Sequence, residues 1–188
     1  MNVVHILNTR DSKKHVKYMT TLIQRCNNDY FPPLSTRGGT RDSDLKKCEI
    51  SHIGINSYVA ELLGQENIFA VSDNRELIGF MSFIHNRRGE TIFDCLNYGL
   101  NNYISTICVE PNHRNCGVAT AMYDFIEEKL PNALCSSFIS TRTWSGNENH
   151  IHILKRRGYS LIHTKIDDRE YNGEKANSVY FVKLLING

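Results

Sequence analysis

Residues 102–130 constrain the fold more than any other part of the chain, because they predict a strand, a polar turn and a helix in direct succession. Residues 103–109 form an apolar, β-branched run of strand length. Pro111 cannot donate a ladder hydrogen bond and biases Glu110 toward an extended conformation, so the strand is expected to end at about Glu110. After the turn, apolar residues recur at helical spacing, at Val118, Met122, Phe125, Ile126 and Leu130.

The start of this predicted helix is a candidate anion site. The first backbone N–H groups of a helix have no intrahelical acceptors and lie at the positive end of the helix dipole. Gly117 and Ala119 keep bulky side chains away from that backbone, and Arg114 can add a positive charge at the rim. A pyrophosphate fits this description, although a turn with one glycine is also a plain connection in many α/β proteins.

The motif Val109-x-Pro111-x-x-Arg114-x-x-Gly117-x-Ala119 resembles the acetyl-CoA signature of the GNAT superfamily of N-acetyltransferases. The core of that signature is Arg/Gln-x-x-Gly-x-Gly/Ala, after a β-strand that often ends Val-x-Pro. Ala119 stands where the commonest form has a second glycine. The resemblance implies acetyl-CoA as co-substrate, with main-chain contacts from Ile107 and Val109 to the pantetheine arm. The residues implied to hold the pyrophosphate are Arg114, Asn115, Cys116, Gly117, Val118, Ala119 and Thr120.

A second segment, residues 145–159, looks like the other GNAT hallmark, in which an Asn opens a helix that ends in Gly-Phe or Gly-Tyr before a strand. Ser145 and Glu148 predict a capping box, with Asn147 as an alternative cap. Gly158 can adopt the left-handed conformation that ends a helix. Asn147 also matches the family residue that touches the cofactor arm.

The whole chain predicts an α/β fold with a mixed sheet, in the order β-α-α-β-β-β-α-β-α-β-β. The first helix should follow Ser12 and bury Val16, Met19, Ile23 and Cys26. The other predicted elements are strands 3–7, 68–72, 77–83, 103–109, 137–143, 159–165 and 179–186 and helix 55–63. This order is that of a GNAT mixed sheet, which implies that strands 103–109 and 137–143 splay apart at their C-terminal ends. With 188 residues, one domain spanning 1–188 is the simplest organisation.

Composition narrows the function classes. The net charge of +2 and the lack of a clustered basic stripe argue against nucleic-acid and membrane binding. No apolar run approaches membrane-spanning length, and the N-terminus does not have the pattern of a signal peptide. The six cysteines are scattered without a Cys-x-x-Cys motif, which indicates buried free thiols and a cytoplasmic location. His150 and His152 would point about 200° apart on a helix, so we expect no metal site there.

The reaction implied by the resemblance is direct attack of a primary amine on acetyl-CoA in a ternary complex. The backbone N–H near Val109 would stabilise the oxyanion. The acceptor is a small-molecule or peptide amine, and the sequence leaves it and the oligomeric state open. A lysine-like amine, with a pKa of about 10.4, is almost entirely protonated at pH 7, so a base is needed. Glu110 is the carboxylate nearest in sequence, although an exposed turn residue is the alternative reading.

Residues 27–51 lack periodicity and lie between the first two helices. In GNAT proteins this region often forms a wall of the acceptor site, and a surface loop is the alternative. Aromatic side chains such as Tyr30 could pack on an acceptor, and carboxylates such as Asp29 could attract a cationic amine. The segment is therefore where acceptor choice is expected to lie.

The general acid is where the chain departs from the family. Many GNAT enzymes place a Tyr seven residues after the helix-opening Asn, and that position is Leu154 in this chain. Tyr159 occupies an aromatic position that usually packs in the core. A non-catalytic acyl-CoA-binding regulatory or interaction module is therefore the alternative function.

Overall fold

The computed structural model describes residues 5–9, 12–37, 54–85, 101–129 and 137–185. Most of the aperiodic segment 27–51 and three of the cysteines, Cys48, Cys95 and Cys135, lie outside these ranges. Of the remaining cysteines, Cys26 and Cys108 are buried free thiols, as predicted, and Cys116 is exposed.

One seven-stranded sheet runs through the described residues, in the order β1-β2-β3-β4-β5-β7-β6. The strands are β1 (His5–Thr9), β2 (Glu66–Val71), β3 (Leu77–Ile84), β4 (Asn101–Val109), β5 (Phe138–Trp144), β6 (Ser160–Tyr171) and β7 (Glu174–Leu184). Strands β4 and β5 are parallel, and every other neighbouring pair is antiparallel. The predicted α/β fold and the predicted order of helices and strands along the chain are thus confirmed for the described residues.

Helices cover both faces of the sheet. On one face, α1 (Val16–Cys26) and α2 (Ile55–Leu63) pack against Phe69 and Phe80. On the other, α3 (Val118–Asp124) and α4 (Glu148–Arg156) share a core cluster with Ile104. A π-helical turn, Phe125–Lys129, continues α3 directly. The buried face of α1 contains Met19, Leu22, Ile23 and Cys26, which confirms three of the four predicted positions, while Val16 is only partly buried.

The last hairpin is longer than the sequence predicted, since β6 ends at Tyr171 rather than near residue 165. Most β6 side chains are exposed, so no alternation of apolar and polar residues marks the strand. Its partner β7 begins at Glu174, well before the apolar run at Val179. The turn between them is formed by Asn172 and Gly173, which both have positive φ, at 52° and 81°.

The N-terminus of α4 uses the alternative cap. Asn147 is the N-cap residue, and its side-chain oxygen accepts a hydrogen bond from His150 N at 3.4 Å. The Ser145–Glu148 capping box is therefore a wrong prediction. The backbone N–H of Ser145 donates instead to Asn177 O at 3.0 Å, which ties Ser145 to β7 rather than to the helix.

Candidate functional site

The two parallel strands in the centre of the sheet pair along only part of their length. Their register runs from Asn101 opposite Phe138 to Ile104 opposite Thr141. The pairing between β3 and β4 shifts at this same level, where Ser105 is the extra residue of a bulge. A bulge bends and twists its strand. From Ser105 onward β4 therefore diverges from β5, which is the splay that the sequence resemblance implied.

A cleft of about 920 Å³ opens at this divergence. Its walls are the C-terminal half of β4, the end of β5, the turn before α3, the first turns of α4 and the loop after α1. The sequence-predicted site residues that line it are Ile107, Val109, Arg114, Asn115, Gly117, Val118, Ala119, Thr120 and Asn147. Glu110 and Cys116 are not among the lining residues.

The edge of β4 presents backbone groups to the cleft. Glu110 N donates to Ile78 O of β3 at 2.9 Å, and the N–H and C=O groups of successive strand residues point in alternate directions. The backbone groups of Ile107 and Val109 therefore point away from β3, toward β5. Consistent with this orientation, Tyr30 Oη donates to Ile107 O, and Arg114 Nε donates to Val109 O at 3.4 Å. An extended ligand with amide groups can pair with this edge.

The turn before α3 carries the predicted glycine in a conformation that requires it. Gly117 has φ of 83°, and a Cβ added there would meet no protein atom within 4 Å. The constraint is thus backbone conformation rather than space within the protein. The first hydrogen bond of α3 runs from Ala121 N to Gly117 O at 2.9 Å. The N–H groups of Val118, Ala119 and Thr120 are left without intrahelical acceptors, as an anion site at this end needs.

Arg114 lies at the rim of the cleft but turns toward α1. Its guanidinium pairs with Asp29 at 2.6 Å and donates to Cys26 Sγ at 3.5 Å. Partial burial acts to lower the pKa of Arg114, but the bonds with Asp29 outweigh it and the pKa is raised. The arginine therefore ties the turn before α3 to the end of α1 and the loop after it.

Glu110, the carboxylate considered as a base, does not line the cleft. Its carboxylate pairs with Arg25 of α1 at 2.8 Å, and its side chain is 14% exposed. Side chains two residues apart along a strand point to the same face of the sheet, and Cys108 packs in the cluster with α1, so Glu110 lies on the α1 side. This placement does not support a role as general base.

Leu154 belongs to the core, as does Tyr159. Leu154 is fully buried, and the two residues share the cluster between α4 and the sheet. They also close the helix, because Tyr159 N donates to Leu154 O at 3.0 Å and Gly158 N donates to Lys155 O at 3.1 Å. This is a Schellman ending, with Gly158 at φ of 83°. Neither side chain lines the cleft, so the residue at the family's Tyr position serves helix termination and packing in this chain.

The sequence did not single out a tyrosine–histidine pair that the structure places in the cleft wall. Tyr123 Oη and His150 Nε2 are 2.7 Å apart, and both residues line the cleft. Burial lowers the pKa of His150 from 6.5 to about 4 and raises that of Tyr123. The two residues are 27 positions apart and meet only because α3 and α4 lie against the same face of the sheet. No local pattern could have identified them.

His150 should make folding stability depend on pH. Its pKa is about 4 in the folded protein and 6.5 when exposed, so the unfolded chain binds more protons between those values. Stability is therefore expected to fall as the pH drops through this window, by at most about 1.4 kcal/mol for each pH unit from this one group. Thermal unfolding of wild type and of His150→Gln between pH 7 and pH 4 measures the effect. An identical pH dependence in the two proteins would show that His150 is not responsible.

The described residues lack two features. They contain no cluster of three or more His, Cys, Asp or Glu side chains arranged to bind a metal ion. Their helices include none with the length and apolar character needed to cross a bilayer.

Comparisons with known proteins agree with this architecture. The sequence model of the Acetyltransferase (GNAT) family matches residues 23–159. Among solved structures, YncA, a putative acetyltransferase from Salmonella typhimurium with its cofactor acetyl-CoA, superposes with a TM-score of 0.65 at 14% identity, covering 100% of this chain and 96% of that one. Spermidine N-acetyltransferase from Vibrio cholerae, in complex with CoA and spermine, gives a TM-score of 0.68 at 11% identity, covering 97% of this chain and 95% of that one.

A plant structure is similar to the same extent. Arabidopsis thaliana NAA60 in complex with a bisubstrate analogue gives a TM-score of 0.65 at 17% identity, covering 99% of this chain and 100% of that one. No curated protein matches the sequence significantly. The family match spans most of the chain and coincides with the splayed strands, the turn and the two helices that form the cleft. The chain therefore belongs to the GNAT family of acetyltransferases.

Proposed function

We propose that the protein transfers the acetyl group of acetyl-CoA to a primary amine. The observation that carries the proposal is the divergence of β4 from β5, which turns the backbone of Ile107 and Val109 toward a cleft that ends at the start of α3. The pantetheine amides would pair with this strand edge. The pyrophosphate would lie against the N–H groups that follow Gly117.

The proposed cofactor contacts are mostly backbone contacts. Ile107 and Val109 hold the pantetheine arm, and residues 114–120 hold the pyrophosphate, with the guanidinium of Arg114 kept at the rim by Asp29. Asn147 lies across the gap at the end of β5. Its side chain caps α4 and donates to Thr143 Oγ1 at 3.1 Å, which fixes it at the cleft wall.

The proposed reaction forms one bond and breaks one. The amine nitrogen attacks the thioester carbon, the Val109 N–H stabilises the oxyanion, and the C–S bond then breaks to release CoA as a thiolate. The amine loses its proton to solvent, and the thiolate takes one up. Catalysis is therefore mainly positioning of the two substrates. Of the carboxylates that line the cleft, Asp29 is paired with Arg114 and Glu148 is exposed, so neither is a preformed base.

The pH profile should lack an alkaline descending limb. A thiolate whose conjugate acid has a pKa of roughly 8.5 can leave without a proton, so the buried Leu154 need not abolish catalysis. Below saturating amine, the rate is expected to rise with pH and then level off until the protein unfolds. Tyr159→Phe should have a larger effect on folding stability than on this pH profile, since the Tyr159 side chain lies in the core. Steady-state thiol release from pH 6 to pH 10 measures the pH profile, and thermal unfolding measures the change in stability.

Tyr123→Phe provides the matched comparison, because Tyr123 lines the cleft and Tyr159 does not. The same plateau is expected in this variant. A bell-shaped wild-type curve whose alkaline limb disappears in either variant would identify that tyrosine as the general acid and overturn this account.

The burial of Leu154 favours one alternative, an acyl-CoA-binding module of regulatory or interaction type without turnover. Acetyl-CoA thiol release over a panel of small-molecule and peptide amines separates the two functions. Amine-dependent release with any member supports the enzyme. Thermal stabilisation by acetyl-CoA with no release across the panel supports the module.

The remaining expectations belong to the same proposal. We infer that the chain forms a single domain and works in the cytoplasm, since two of its cysteines, Cys26 and Cys108, are buried as free thiols. Neither nucleic acid nor a membrane is a proposed partner.

A further inference from the structure

Arginines gather at the part of the cleft formed by the loop after α1 and the last hairpin. Arg37 comes from that loop, Arg142 from β5 and Arg169 from β6, and all three line the cleft. Arg169 Nη1 donates to Phe31 O at 2.7 Å, and Arg37 Nη2 approaches Pro32 O at 3.4 Å. Because Phe31 and Pro32 are consecutive, the two guanidinium groups lie on the same short stretch of backbone.

Their contacts hold both guanidinium groups in place. Arg169 Nε also donates to Ser178 Oγ at 2.9 Å, so its contacts within the described residues use two of its five N–H donors. The Arg37 guanidinium carbon lies 5.2 Å from the ring centre of Tyr30 and 5.9 Å from that of Tyr58. Side chains fixed in this way lose little further freedom on binding an anion.

Positive charge exceeds negative charge among the described residues of this region. Asp168 is the nearby carboxylate, 4.0 Å from Arg142, and it also pairs with Lys165 and accepts from Ser178 Oγ. Burial, and then the neighbouring Arg37 and Arg142, lower the pKa of Arg169 to about 10. The guanidinium groups are thus close enough to repel one another, and an anion bound among them would relieve that repulsion.

An aromatic wall completes this part of the cleft. The rings of Phe31 and Trp144 are 5.7 Å apart, and Trp144 lines the cleft. Trp144 Nε1 is buried, and no residue of the described ranges accepts its hydrogen bond. A buried donor normally has an acceptor. An oxyanion in the cleft could supply one.

We propose that the acceptor amine carries an oxyanion, such as a carboxylate or a phosphonate, which Arg37 and Arg169 bind while the amine reaches the thioester. Planar guanidinium groups suit such groups because they can donate two parallel hydrogen bonds. A polyamine would instead bring more positive charge to the arginines. This inference rests on the proposed acetyltransferase function and names the substrate class: amino acids and the related aminophosphonates.

Matched acceptor pairs test the substrate class. Lysine and 1,5-diaminopentane differ by the carboxylate alone, as do phenylalanine and phenethylamine, while 2-aminoethylphosphonate and ethylamine test phosphonate. At saturating acetyl-CoA, kcat/KM is expected to be at least tenfold higher for the acid member of at least one pair. Equal or higher values for every uncharged or cationic member would overturn the inference.

The Arg169→Gln variant tests whether Arg169 binds the oxyanion of the acceptor. It is expected to raise KM for the acid members at least tenfold while leaving the KM values for the matched amines and for acetyl-CoA unchanged. Arg37→Gln, on the loop side, is the second variant if Arg169→Gln does not fold. Arg25→Gln is the control, since it removes the same charge from α1 outside the cleft. If Arg169→Gln changed KM equally for both members of each pair, Arg169 would have a structural role only.

Calorimetry distinguishes failure of this inference from failure of the proposed function. Binding of the acid members to the CoA-saturated protein, weakened at least tenfold in Arg169→Gln, supports the oxyanion site even if no amine is acetylated. Absence of that binding would overturn the site whether or not some other amine is a substrate.

Discussion

Replacing Gly117 by valine is expected to abolish the thermal stabilisation that acetyl-CoA gives to the wild-type protein. Gly117 has φ of 83°, where a β-branched residue costs roughly 1–3 kcal/mol of strain. Relief of that strain would reorient the N–H groups at the start of α3, and the new side chain would also project into the cleft. A ligand at about 100 times its Kd stabilises a protein by about 2.7 kcal/mol, so loss of binding is readily measured as loss of the Tm shift.

Gly173→Val is the matched control for this experiment. Gly173 has φ of 81° and, like Gly117, an added Cβ there would meet no protein atom within 4 Å. It lies in the turn between β6 and β7, so the variant should lose comparable stability and keep the full acetyl-CoA shift. A Gly117→Val protein that also keeps the full shift would refute the assignment of the pyrophosphate site.

Replacing Arg157 by methionine is expected to destabilise the protein by about 2–4 kcal/mol, which corresponds to roughly 5–10 °C in Tm. Arg157 follows α4 and pairs with Glu127 at 2.9 Å and with Asp124 at 2.5 Å, which joins α4 to the end of α3. Glu127 is only 6% exposed, and without Arg157 it retains Lys183 at 2.6 Å. Because Lys183 still pairs with Glu127, the expected loss of stability is smaller than for a fully unpaired buried charge.

Lys175→Met removes the same charge from an exposed pair and serves as the comparison. Lys175 is 55% exposed and 4.0 Å from Asp167, so this change should alter stability by less than about 0.5 kcal/mol. Chemical denaturation of the three proteins at neutral pH measures both differences. Equal midpoints for Arg157→Met and wild type would show that the buried pair adds nothing to the stability of the α3–α4 contact.

The strands and turns that build the site could be predicted from the sequence because each depends on neighbours in the chain. The strand ending before Pro111, the glycine at 117 and the helix after it follow from backbone preferences and helical spacing. The ending of α4 at Gly158 also rests on contacts within a few residues. These local rules were sufficient to place the residues of the signature motif on the correct strand, turn and helix.

Only the tertiary structure decided what the side chains around the cleft do. Leu154 and Tyr159 are core residues, while Tyr123, which packs in the same cluster, also reaches the cleft wall. Glu110 pairs with Arg25 across 85 positions, and Arg169 reaches Phe31 across 138. Such contacts depend on how the helices and the last hairpin pack on the sheet, and packing joins residues that share no local pattern. The sequence by itself therefore determined the family and the backbone of β4 and of the turn before α3, and the tertiary structure decided the surroundings of the other side chains at the cleft.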